Sequence, residues 1–128
     1  MTKSLPFDPT TEPYINLSTF RKDGREVRTP VWVAAIDHTY YIFSESKAGK
    51  VKRIRNSSHV KIAACDARGK VKSEWLDADA ILVSDTSILE EMYRAFDRKY
   101  GWQMRTLNFL SRLSGKYHRR AVIAVSIK

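Results

Sequence analysis

The sequence contains 128 residues, of which 43% are hydrophobic, and carries a formal net charge of +9. A chain of this length buries enough apolar surface for one compact core, so a single domain over residues 1–128 is predicted. No apolar run approaches the roughly 20 residues of a membrane-spanning helix, and a single cysteine excludes an internal disulfide framework. Because the N-terminus also lacks a secretory signal, a soluble cytoplasmic protein without a membrane partner is expected.

The positive charge is unevenly distributed along the chain. All 14 acidic residues lie at or before Asp97, and the segment from Arg98 to the C-terminus contains only basic charges. A second basic cluster places five Lys or Arg residues within the run KAGKVKRIR, from Lys47 to Arg55. Such segments are typical of sites for phosphate or polyanions, and equally of ordinary solvated surfaces.

The first part of the chain predicts an arm followed by a three-stranded meander. Three prolines favour an extended N-terminal arm over residues 1–13. Pro30 lies within the second predicted strand and has no N–H to donate, so this strand is expected at a sheet edge or bulged near Pro30. Apolar, β-branched and aromatic residues predict strands over 14–20, 27–36 and 39–44.

The remaining chain predicts further strands and three helices. A short helix after the third strand is indicated by the apolar spacing of its residues, with Ser46 as its expected N-cap. Ser87 is expected to begin the next helix through a capping box, and Trp102 to anchor the last helical pair. Six antiparallel strands with packed helices predict a mainly β fold, a small β-barrel. Further strands are predicted over 59–65, 74–83 and 121–127, and the helical pair over 87–100 and 102–113.

Common catalytic and metal-binding patterns are poorly matched. The three histidines stand in no close spacing, so no metal site is predicted. Cys65 lies in an apolar strand and is interpreted as a small core residue, not a nucleophile. Asp77 and Asp79 alternate along one strand face, as solvent-facing residues commonly do. These patterns therefore predict no catalytic residue.

The strongest chemical signal lies between residues 43 and 55. A strand leads into a hydroxyl-rich turn at 44–46 and then into a helix whose first turns carry Lys47, Gly49 and Lys50. The free N–H groups at a helix start, the helix dipole and nearby lysines together favour a bound phosphate. The spacing does not match the Walker pattern, which argues against an ordinary nucleoside triphosphate site.

Five motifs carry a family resemblance: RTPVW at 28–32, Ser44, GKVKRIR at 49–55, CDARG at 65–69 and KYGWQ at 99–103. Together they resemble the flavin- and deazaflavin-binding split-barrel proteins, often labelled pyridoxamine 5′-phosphate oxidase-like, and especially their small deazaflavin-dependent type. The resemblance implies a six-stranded antiparallel split β-barrel that forms a homodimer. It further implies that FMN or the deazaflavin coenzyme F-420 binds in each of two clefts between the subunits.

The resemblance also assigns two sets of cofactor-binding residues. The first set is expected to line the isoalloxazine-type ring and comprises Arg28, Thr29, Pro30, Val31 and Trp32. The second set is expected around the phosphate and ribityl chain and comprises Ser44, Lys47, Lys50, Val51, Lys52 and Arg53. This second set overlaps the phosphate site that the residues themselves predict.

The function implied by the resemblance is a flavin- or deazaflavin-dependent oxidoreductase that transfers a hydride between the cofactor and a small-molecule substrate. The chain lacks the Arg-Leu-x-Pro ending of pyridoxamine phosphate oxidases proper, so vitamin B6 oxidation is not expected. Two alternatives stay open: a protein that stores or senses the cofactor without turnover, and a basic nucleic-acid-binding module. The carboxylate tail of the deazaflavin coenzyme is expected to meet Arg112, Lys116, Arg119 and Arg120.

Overall fold

The computed structural model describes residues 5–114 and 120–128. Its strands form one antiparallel sheet with the order β2-β1-β5-β6-β7-β4-β3. Among the described residues, no helix has both the length and the apolar character needed to cross a bilayer. The elements within these residues are β1 (Ile15–Phe20), β2 (Glu26–Val31), β3 (Ala34–Ile36), β4 (Thr39–Glu45), α1 (Gly49–Asn56), β5 (His59–Ala64), β6 (Leu76–Val83), α2 (Thr86–Tyr100), α3 (Trp102–Leu113) and β7 (Arg120–Ile127).

The predicted second strand is two strands in the structure, so the prediction of six strands was wrong. β2 pairs with β1, β3 pairs with β4, and the two lie at opposite edges of the sheet. Only Trp32 and Val33 connect them, which brings the two edges to within roughly 10 Å, the reach of three peptide units. The sheet therefore curls into a barrel that is split between β2 and β3. Pro30 lies in β2 at the sheet edge, which confirms its predicted position.

Two helix starts differ from their predicted caps. α1 has Ala48 as its N-cap, and no side chain caps its N–H groups, whereas Ser46 was the expected cap. α2 is capped by Asp85, whose carboxylate accepts the backbone N–H of Ser87 at 2.9 Å. Ser87 itself lies within the first turn because the carboxylate two residues earlier already satisfies this donor.

Two apolar clusters lie on opposite faces of β4 and β7, because alternate residues of a strand point to opposite sides. Both faces of the last strand, β7, are therefore buried. One cluster fills the barrel and includes Ile15, Leu17, Ile42, Val60, Ile62, Ile123 and Val125. The other lies between the sheet and the helices α2 and α3 and includes Ala34, Tyr41, Met92, Phe96, Met104, Val122 and Ala124.

Trp102 does not anchor the helical pair, contrary to the prediction. Its side chain is 73% exposed, whereas Met104 in the same helix is fully buried. Two positions along a helix differ by about 200° around its axis, so only one of these residues can face the core. The smaller, more flexible methionine fills that position.

The N-terminal arm turns and packs against the barrel instead of extending throughout. The backbone N–H groups of Thr11 and Glu12 donate to the Asp8 carbonyl at 3.2 and 3.0 Å. This turn leaves Phe7 buried in the barrel cluster. The prolines predicted an extended arm because they exclude helix, but local acceptors such as Asp8 decide where such a segment turns.

Lys99, near the end of α2, ties this arm to the connection between β2 and β3. Its ammonium group donates to the main-chain carbonyls of Pro9, Glu12 and Val33 at 2.8, 2.7 and 2.7 Å. Burial lowers the pKa of Lys99 to about 8, while the charges of Asp8 and Glu12 oppose that change. The side chain is therefore charged at neutral pH, when it holds the arm in place.

Cys65 is expected to resist alkylation in the folded protein. The side chain is fully buried, and burial raises the pKa of its thiol to about 11. Because the thiolate is the reactive form, iodoacetamide at about pH 8 should label Cys65 only after unfolding in urea. Intact mass measured over time checks this, and labelling at equal rates in buffer and in urea contradicts it.

Candidate functional site

A groove lies between the edge strand β2, strand β4 and helix α3. One pocket of about 200 Å³ is lined by Thr29, Pro30, Val31, Trp32, Phe43, Lys50 and Leu107. A second pocket of about 160 Å³ is lined by Phe43, Ser44, Glu45, Leu107, Ser111 and Arg120. The two pockets adjoin because they share Phe43 and Leu107.

The indole of Trp32 forms an aromatic wall of this groove, and Tyr100 supports it from behind. The two rings stack with their centres 4.3 Å apart and their planes 9° apart. The Tyr100 hydroxyl accepts the N–H of Val33 at 3.0 Å and donates to the Pro13 carbonyl at 2.8 Å. Burial raises the pKa of Tyr100 to about 12, so the phenol is neutral. The wall is thus fixed at the point where the chain crosses between the sheet edges.

Lys50 supplies positive charge to the same groove from the first turn of α1. Burial, together with the nearby charge of Arg53, lowers the pKa of Lys50. The N–H groups at the start of α1 have no side-chain cap, and the first turn has no acidic residue. A negatively charged group bound here would relieve the repulsion between Lys50 and Arg53 and satisfy the free N–H groups.

Arg53 folds back over the start of α1. Its Nε donates to the Thr19 hydroxyl at 2.6 Å. Its guanidinium lies beside Gly49, where an added Cβ would stand 2.7 Å from Nη1 of Arg53. The absence of a side chain at Gly49 therefore lets Arg53 approach the helix start, where its charge adds to that of Lys50.

The structure brings together about half of the residues predicted from sequence. Four of the five residues expected to line the ring lie in the first pocket. Lys50, from the set expected around the phosphate, lies in the same pocket. Ser44 lines the adjoining pocket. The lining residues that were predicted are Thr29, Pro30, Val31, Trp32, Ser44 and Lys50.

Like Arg53, the other predicted residues lie outside both pockets. Arg28 is exposed, where its Nε donates to the Glu26 carboxylate at 2.6 Å and its guanidinium lies 4.8 Å from the centre of the Trp75 ring. Val51 is fully buried in the barrel cluster. The two remaining lysines of the set, Lys47 and Lys52, are exposed and line neither pocket.

Four lining residues escaped the sequence predictions: Phe43, Glu45, Leu107 and Ser111. Phe43 follows the buried Ile42 in β4, and this alternation indicates a side chain on the opposite sheet face, toward the helices. Leu107 carries no local signal, because its place in the groove depends on how α3 docks against the sheet. Tyr100 lines neither pocket, and the sequence analysis did not predict that it supports Trp32.

Arg120 lines the second pocket. Its guanidinium stands 4.6 Å from the centre of the Phe43 ring and donates to Asn108 Oδ1 at 2.8 Å and to Ser111 Oγ at 2.9 Å. Of the other basic residues expected near a carboxylate tail, Arg112 is exposed on α3. Lys116 and Arg119 lie outside the described residues.

The comparisons with known proteins concern the fold. No family model and no curated protein matches the sequence. HutZ of Vibrio cholerae, described as a heme storage protein, is similar with a TM-score of 0.73 and 13% identity over 94% of this chain and 84% of its own. A candidate pyridoxamine 5′-phosphate oxidase from Listeria innocua has a TM-score of 0.61 and 18% identity, over 91% and 84%.

An FAD-binding protein from Mesorhizobium loti is also similar, with a TM-score of 0.59 and 19% identity over 93% of this chain and 82% of its own. At these identities the likeness establishes architecture and not activity. The chain therefore has the curled antiparallel split-barrel fold, with helices packed outside, that these solved structures share.

Proposed function

We propose that the groove binds FMN or the deazaflavin coenzyme F-420, and that the protein transfers a hydride between this cofactor and a small-molecule substrate. The observation that carries the proposal is the convergence of Trp32 and Lys50 on one groove at an uncapped helix start. A planar ring needs a flat apolar wall, and a phosphate needs N–H donors and positive charge. The shared fold with an FAD-binding protein adds support.

The residues of the groove fit such a cofactor. Trp32, held by Tyr100, offers a flat surface for a ring, and the free edge of β2 offers main-chain groups to the polar atoms of that ring. Lys50 and the N–H groups at the start of α1 suit the phosphate. Phe43 and Leu107 exclude water from the space between. When bound, the cofactor supplies the hydride chemistry, and the chain supplies binding and orientation.

A homodimer is part of this proposal because the family resemblance places each cofactor cleft between two subunits. The two adjoining pockets, of about 200 and 160 Å³, would form one wall of such a cleft. Sedimentation equilibrium is expected to give about twice the 14.8 kDa of the chain. A monomer at micromolar concentration would remove the intersubunit cleft from the proposal.

Titration of the apo-protein with FMN and, separately, with F-420 tests the proposal. Each cofactor is fluorescent, so quenching of its emission follows binding. Saturable binding of either cofactor, one per chain, supports the proposal. Failure of both to bind overturns it, because the groove then has no flavin-type ligand.

The basic segment after Asp97 is expected to distinguish the two cofactors. F-420 continues past its phosphate into a chain of carboxylates, whereas FMN ends there. Replacing Arg112 and Lys116 together with Gln should weaken the binding of F-420. The loss of affinity should shrink at high salt, because salt screens charge contacts at a protein surface. FMN binding should stay unchanged. Equal losses for both cofactors would assign these residues to the fold or the dimer.

Storage without turnover is the second candidate, favoured by the fold similarity to HutZ, a protein described as storing heme. The two functions differ in the fate of a reduced cofactor. An oxidoreductase should speed the oxidation of reduced cofactor by a small acceptor, whereas a storage protein should slow it by exclusion. A nucleic-acid-binding role has less support, because Arg120 is held within the fold by Phe43 and Asn108.

A further inference from the structure

Helix α3 has a second apolar face that the described part of the chain leaves uncovered. Met104 is fully buried, whereas Trp102, Phe109, Leu110 and Leu113 are 73%, 63%, 56% and 71% exposed. At about 100° per residue, these four side chains fall within an arc of about 100° on the side of the helix away from Met104. We call this arc the outer face of α3. Exposed Thr106 lies in the same arc, between Trp102 and the other three. Exposed apolar residues grouped in this way mark an interaction site.

The two charged residues of α3 are both arginines. Arg105 and Arg112 lie side by side along one border of the face, by the same helical geometry, and both residues are exposed. α3 contains no acidic residue, and none follows Asp97 in the sequence. The outer face therefore combines apolar side chains with a cationic border, and its complement is a surface that is both apolar and negatively charged.

We infer that the outer face of α3 docks on an anionic lipid surface. Apolar side chains, with Trp and Phe among them, then enter the boundary between headgroups and acyl chains, while the arginines meet lipid phosphates. The expectation of no membrane partner rested on the absence of a spanning helix, which has no bearing on a helix that lies in the plane of the surface. A helix of 12 residues suits the second arrangement.

Two other occupants fit the outer face less well. A second copy whose α3 packs antiparallel about a two-fold axis brings the arginine borders of the two helices together, without an acidic residue on α3 to offset the repulsion. A soluble polyanion such as RNA satisfies Arg105 and Arg112 but leaves the four apolar side chains in water. The lipid surface alone accounts for both features.

A lipid surface docked on the outer face does not cover the groove. Leu107 and Ser111, which line the groove, lie toward the Met104 side of α3 and not on the outer face. Substitutions on the outer face therefore test lipid binding without altering the proposed cofactor site. Arg112, which the F-420 prediction also uses, stays unchanged in the variants below, so a loss of lipid binding and a loss of cofactor binding can be told apart.

Co-sedimentation of the full chain with vesicles tests the inference. Vesicles of phosphatidylcholine containing about one third phosphatidylglycerol should bind the protein, and vesicles of phosphatidylcholine alone should not. Phe109→Gln with Leu113→Gln should weaken binding at least tenfold, and Arg105→Gln should weaken it severalfold at low salt. The matched control is Ile81→Gln, at a side chain that is 62% exposed on β6, two strands away from β4 in the sheet.

Several results would overturn the inference. These are no binding to anionic vesicles, equal binding to neutral vesicles, or equal losses for the control and the double variant. Conversion of a dimer to a monomer by the double variant would assign the outer face to a second copy. Binding of an RNA oligonucleotide without any binding to vesicles would assign the arginines to nucleic acid. Circular dichroism and an unchanged FMN or F-420 titration show that the variants are folded.

Discussion

Replacing Lys99 with methionine is expected to lower the free energy of unfolding by about 2–4 kcal/mol, because three carbonyls lose their shared donor. In the folded protein the ammonium group bonds the carbonyls of Pro9, Glu12 and Val33 within 2.8 Å. Methionine has a similar length but donates no hydrogen bond. The side chain is only partly buried, so water replaces some of the lost bonds and keeps the cost below the sum of three.

Urea denaturation measures this effect, with Arg98→Met as the matched control. Arg98 is the adjacent residue and is exposed, so its replacement should change the free energy of unfolding by no more than about 0.5 kcal/mol. Limited proteolysis should also cleave the Lys99→Met variant within the N-terminal arm before the barrel. Equal stability of the two variants would show that Lys99 does not hold the arm.

Replacing Lys50 with glutamate is expected to weaken cofactor binding about a hundredfold or more, equivalent to about 2.7 kcal/mol. The substitution removes a charge-assisted hydrogen bond worth about 1.5–3 kcal/mol and adds repulsion between the new carboxylate and the phosphate. The wild-type binding should also weaken at alkaline pH, because the pKa of Lys50 is lowered by burial and by Arg53. Deprotonation then removes the same charge.

Lys52→Glu is the control for this second prediction. It makes the same change in net charge on the same helix, but Lys52 is exposed and lines neither pocket. Its effect on affinity should be several times smaller and should fade at high salt. Equal losses for both variants would indicate a diffuse electrostatic effect, and unchanged affinity in Lys50→Glu would move the phosphate to another place.

Local patterns predicted most of the strands and helices. They failed where contacts between distant segments determine where a strand ends and which strand it pairs with. Pro30 indicated an edge strand through its missing N–H, which is a property of one residue. The break at Trp32 and Val33 has no such signal, because the run from 30 to 36 is apolar throughout. Its two halves are separated only by their different partners, β1 and β4, which the sequence does not name.

The candidate site shows the same division between local and tertiary information. The proposed phosphate end was predictable from sequence because a helix start and Lys50 lie within one short segment. The direction of each side chain was less visible: within the motif RTPVW, Arg28 turns to Glu26 and Trp75, away from the groove. Leu107 lines the groove because α3 packs against the sheet. That packing depends on the whole apolar cluster between the sheet and the helices α2 and α3.

Amide hydrogen exchange with and without saturating FMN or F-420 tests most directly whether the groove is the cofactor site. Bound cofactor should slow exchange at residues 29, 31 and 32, and at residues 49–51 at the start of α1. The central strand β6, which contributes nothing to the groove, should be unchanged. Slower exchange confined to other segments, or no change with either cofactor, would contradict a flavin-type site between β2, β4 and α3.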